Sequence, residues 1–97
     1  MEIDYDDFIN FCKKLEVRGE TINTIGGRSS FEIISVDQSN IKYKLLNGNI
    51  RSTERNIIQK VLKKFGDTES YTTTKYTDIT QASSYTLALI KLYMDSL

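Results

Sequence analysis

The chain has 97 residues, and 13 Lys+Arg balance 13 Asp+Glu to a formal net charge of zero. That length suits one domain, residues 1–97, with a real but thin core, since a chain of this size buries roughly 60–70% of its unfolded surface. Neutrality excludes a whole-molecule polycation or acidic mimic, and 39% apolar with 27% charged residues is too ordered a mixture for a disordered chain.

The first expected element is a helix over 4–16. Tyr5, Phe8, Ile9, Cys12 and Leu15 recur at three- and four-residue spacing and share one face. Asp4 is a natural N-cap. Asp6 and Asp7 in the first turn, with Lys13 and Lys14 in the last, complement the helix dipole. Gly19 ends this unit. Residues 20–25 are rich in β-branched types and read as a strand, and Gly26-Gly27 supplies a turn. Phe31–Val36 is a stronger strand, followed by the turn cluster Asp37-Gln38-Ser39-Asn40. Ile41, Tyr43 and Leu45 then alternate with Lys42 and Lys44, the pattern of a half-buried strand. Asn47-Gly48 is a tight-turn signal, and a short fourth strand can return through Asn49 to Arg51.

A second helix is expected over 53–65, capped by Ser52 or Thr53. Ile57, Ile58, Val61, Leu62 and Phe65 form its apolar arc. Lys63 and Lys64 fall in its last turn, and Gly66 sits where a left-handed cap belongs. Residues 67–80 are polar and aromatic and contain six Thr, which suggests a loop with an edge strand near 71–76. The last helix, 81–96, is apolar around most of its circumference; only Ser84, Lys91 and Asp95 make a polar stripe. Such a helix is buried on most sides, either between sheet and helices or against a second copy in a homodimer. The sum is an α+β fold: an N-terminal helix, a three- to four-stranded antiparallel β-meander, and two C-terminal helices on one face.

Zero histidine removes Ser-His-Asp and Cys-His nucleophilic sites, the commonest general base and the commonest metal ligand. Cys12 is alone, so no cysteine cluster holds zinc or iron–sulfur and no intrachain disulfide forms. The acids Glu2, Asp4, Asp6 and Asp7 lack the glycine and ligand spacing of a calcium loop. Gly26-Gly27-Arg28 lacks the spacing of a phosphate loop. No catalytic residue, metal or cofactor is therefore expected, and recognition is favoured over chemistry. There is no apolar run near ~20 residues and no basic-then-apolar N-terminus. The chain reads as a cytoplasmic protein without a membrane partner, and one free Cys fits a reducing compartment. Abundant Ile, Lys, Asn and Tyr suggest an AT-rich coding genome, such as that of a low-GC bacterium or its phage.

Charge is unevenly placed. Residues 1–7 carry four acids and no base. From Lys42 to Lys64 there are seven bases (Lys42, Lys44, Arg51, Arg55, Lys60, Lys63, Lys64) and one acid, Glu54. Lys42, Lys44, Arg51, Arg55, Gln59, Lys60 and Lys63 are the first candidate site, a basic strand followed by a helix able to touch phosphates and base edges of DNA or RNA. The second candidate is Tyr71, Lys75 and Tyr76, which offer stacking and hydroxyl groups. A nucleic-acid-binding module is slightly preferred. The alternative is a protein-binding module, such as a phage-encoded inhibitor or an accessory subunit; the clustered bases can also dock onto the acidic N-terminus of the same molecule or of a second copy, or simply face solvent.

Overall fold

The architecture comes from a computed structural model that describes residues 1–97. Helix α1 spans Tyr5–Arg18. Asp4 caps it, its carboxylate accepting the Asp7 N–H at 3.0 Å. Gly19 ends it at φ 63°, a left-handed position glycine occupies without strain. Tyr5, Phe8, Ile9, Cys12 and Leu15 are all buried, as their spacing requires. Because the helix runs on to Arg18, Lys13 and Lys14 lie one turn short of its end, and Arg18 is the base that meets the dipole.

Four strands follow in an antiparallel sheet of order β1-β2-β3-β4: β1 Thr21–Asn23, β2 Ser30–Val36, β3 Asn40–Leu45 and β4 Ile50–Glu54. Short connections make this meander the direct arrangement. Ile22, Phe31, Ile33, Ile41, Tyr43 and Leu45 are buried on one face, while Thr21, Glu32, Lys42 and Lys44 are exposed on the other. The β2–β3 register shifts between Ile33 and Ser35, so Ile34 is the extra residue of a bulge and points to solvent. The hairpin loop between β3 and β4 depends on Gly48 at φ 90°.

Helix α2 spans Arg55–Thr68 and starts later than its capping residues suggested. Ser52 and Thr53 belong to β4, where buried Thr53 meets the Tyr43 hydroxyl at 3.3 Å. Strand pairing prevails there over helix capping because Thr53 faces the core opposite Ile41. Gly66 is not the terminal cap either. The helix continues through it to a cap at Glu69, φ 50°, which leaves Lys63 and Lys64 short of the last turn. Gly66 serves a close approach instead: a Cβ there would strike the Met1 carbonyl oxygen, and the Met1 amine donates to the Gly66 carbonyl at 2.8 Å. Residues 1–4 thus form a strap along α2, with Ile3 buried beneath it.

Thr73–Tyr76 is a single 3-10 turn, η1, and not the expected edge strand. The Tyr76 hydroxyl donates to the Ser70 carbonyl at 2.7 Å and lies 3.3 Å from the Thr68 hydroxyl. These local bonds curl the segment back onto α2. Helix α3, Ser83–Asp95, buries Leu87, Ala88, Leu89 and Ile90 within the chain. It touches the sheet through Tyr85, whose ring packs on Phe31 and Tyr43 at 5.2 and 4.8 Å between centroids. Tyr93 meets Phe8 and Phe11 of α1, and η1 and α2 close the remaining sides. The chain's own elements cover the first part of α3, while Leu92, Tyr93 and Met94 toward its end stay partly exposed. One continuous cluster joins the buried side chains of strands and helices, each large aliphatic contributing about 1.5–3 kcal/mol. No helix is long and apolar enough to cross a membrane.

Candidate recognition surface

The sheet has one face covered by helices and one without cover, and the bases of the Lys42–Lys64 segment are divided by that layering. Lys42 and Lys44 stand on the helix-free face. Lys42 lies opposite Ser35 and Ser52, and Lys44 lies between Glu32 and Ile50. Neither has an acidic group within ion-pair distance; the ion pairs of the chain are Lys64–Asp78 and Lys91–Asp95. Arg51 sits directly opposite Tyr43, at the rim of the helix side, and its charge opposes the rise that burial imposes on the Tyr43 phenol.

The α2 bases belong to the helical layer. Arg55 stacks its guanidinium 4.6 Å above the Tyr5 ring, and Tyr5 in turn donates to the Gln38 carbonyl at 3.1 Å. Burial raises the Tyr5 phenol's pKa, and Arg55 partly offsets it. Arg55, Asn56 and Gln59 border a polar hollow with Gln38, Ser39, Glu54 and Asn40, whose buried Oδ1 has no hydrogen-bond partner. Lys63 and Gln59 flank an open groove of about 960 Å³ beside the strap residues Glu2 and Asp4. Lys60 points to solvent, and Lys64 pairs with Asp78 at 3.0 Å, which holds that carboxyl below its usual range. The seven candidate residues therefore do not converge on one surface. Lys42 and Lys44 share one, Arg55, Gln59 and Lys63 border another beside the acidic N-terminus, and Arg51 and Lys60 stand apart.

The second candidate group is dispersed as well. Tyr76 is fully buried, Tyr71 packs its ring on Phe65 at 5.0 Å with the Lys91 ammonium 5.7 Å away, and Lys75 alone is free. Tyr76 cannot stack on a base without leaving the core, whereas Tyr71 is partly exposed and packed against the core's outer side. Cys12 is equally enclosed, and burial pushes its thiol up to about 12. No three acidic or cysteine side chains come together in a metal-binding group.

What the sequence did not single out is the apolar part of the helix-free face. Ile34 is 43% exposed and Ile50 65%, with Leu46 at 77% in the adjoining turn. The signal was present as broken alternation. Ile33-Ile34 and Leu45-Leu46 are successive apolar pairs, and in a strand only one of each can face the core. On this face the aromatic rings are absent, because Phe31 and Tyr43 point inward. Comparison with protein-family models, curated proteins and solved structures finds no match.

Proposed function

We propose that the protein is a non-catalytic recognition module that binds another protein on the helix-free face of its sheet. One observation carries this reading: unpaired Lys42 and Lys44 lie among the exposed apolar side chains Ile34, Leu46 and Ile50. An apolar centre with charged neighbours is the composition of a protein interface. A nucleic-acid surface needs either a continuous run of cations along the phosphates or aromatic platforms for bases. Here the cations are divided between two layers, and the aromatic side chains of the sheet belong to the core.

The test pairs two variants with two kinds of ligand. The Lys42→Glu/Lys44→Glu chain and the Ile34→Lys/Ile50→Lys chain are expected to keep the wild-type melting temperature and to lose a protein partner recovered by the wild type. DNA and RNA are expected to give no gel shift at low salt. A shift that falls steeply with salt and disappears in the lysine variant alone would restore the nucleic-acid reading.

A further inference from the structure

The free edge of the sheet narrows the kind of partner, resting on the protein-binding reading above. β4 is the last strand of the sheet, and two bonds fix which of its backbone groups face outward. The Leu45 N–H donates to the Asn49 carbonyl, and the Arg55 N–H donates to the Ser39 carbonyl, each at 2.8 Å. Bonded and non-bonded pairs alternate along an antiparallel ladder. Tyr43–Arg51 and Ile41–Thr53 are therefore the bonded pairs between those two points, and Lys44–Ile50 and Lys42–Ser52 are not. Ile50 and Ser52 consequently turn their N–H and C=O groups away from β3. Neither residue makes a turn, loop or cap hydrogen bond.

The edge has little to discourage pairing. The chain has no proline, and the β3–β4 register runs without a bulge. Ile50 is 65% exposed, with Arg51 and Ser52 exposed beside it. The opposite edge differs: β1 has only three residues, and just beyond it the Ile25 N–H turns to the Ser84 carbonyl at 3.5 Å, at the start of α3. A charged residue on an edge is ordinary protection against pairing, and Arg51 alone would be read that way. An exposed isoleucine next to it acts in the opposite sense. Charge then selects the occupant. Arg51 is the base on this edge and makes no ion pair; Lys42 and Lys44 stand one strand in on the other face, also without one, and the acid of the strand, Glu54, lies at its far end.

We propose that β4 receives an extended acidic segment of a partner protein as a fifth strand. Its backbone pairs with Ile50 and Ser52, a β-branched side chain lies beside Ile50, and an Asp or Glu on the alternate face meets Arg51. A second copy of this chain is a poorer occupant, because its β4 brings another Arg51 to the seam with Lys42 and Lys44 one strand behind it.

The probe is a synthetic peptide alternating Glu with Val, with a Lys–Val peptide as control, titrated into the full chain and followed by amide hydrogen exchange. Slowed exchange at Ile50 and Ser52 with the acidic peptide only is the expected result. Ser52→Pro removes one outward N–H at a position that makes no ladder bond, and it should weaken binding about tenfold. Arg51→Glu, which leaves every backbone group in place, should do the same and transfer preference to the Lys–Val peptide. Equal binding of both peptides, no binding of either, or self-association through β4 overturns the proposal. Binding lost in Lys42→Glu/Lys44→Glu but retained in Ser52→Pro and Arg51→Glu overturns strand addition and leaves docking on the sheet face standing.

Discussion

The two faces of the sheet are made by alternate residues of the same strands, yet they answer to different constraints. Phe31, Ile33, Ile41, Tyr43 and Leu45 face the helices and are nearly closed to solvent. Their neighbours Glu32, Ile34, Lys42 and Lys44 face outward and touch no other layer. An inward side chain is fixed by shape, because interiors are close-packed. An outward one is fixed only by its compatibility with a pleated strand, so its chemistry is available for recognition. Features that the fold does not require, such as exposed Ile34 and Ile50, are therefore the ones on which the proposed protein-binding reading rests.

The largest break in this contrast is expected from Phe31→Ala. It removes a ring packed on both Tyr43 and Tyr85 and should cost about 3–5 kcal/mol, read as the shift in a urea unfolding curve. Asp4→Ala is next, losing the N-cap of α1 for about 1 kcal/mol. Tyr43→Phe should cost about 1 kcal/mol through the bond to Thr53. The Lys42→Glu/Lys44→Glu pair should move the same curve by no more than about 0.5 kcal/mol, although it changes two residues of the central sheet.

Alkaline titration sharpens the contrast from the core side. Burial raises the Cys12 thiol from its ordinary 9.0 to about 12. A raised acid favours the folded state while neutral. That contribution is complete below the unfolded value and is lost as pH rises through the folded one. Stability should therefore decline between pH 9.0 and about 12, and Cys12→Ala should flatten part of that decline. Below that window a thiol reagent should reach Cys12 only in denaturant.

Much of the fold was legible because its signals are local. The α1 spacing, the Asp4 and Gly19 caps and the Ile41–Leu45 alternation each work within one element. The misread places depend on partners distant in sequence. Thr53 is drawn into β4 by Ile41 and Tyr43, Gly66 answers to Met1, and Tyr76 is turned inward by Thr68 and Ser70. The candidate site was less legible for the same reason. Lys42 to Lys64 are consecutive elements, but a strand facing outward and a helix in the layer beneath it direct their bases differently. Charge grouped along the chain is not charge grouped in space.

The most direct measurement is the urea midpoint of the fourfold variant Ile34→Thr, Lys42→Thr, Lys44→Thr and Ile50→Thr, which keeps strand-compatible side chains on the outer face. If that face is free for recognition, the stability change stays under about 1 kcal/mol. A loss as large as that of Phe31→Ala would contradict the account, because it would make the outer face part of what holds the fold together.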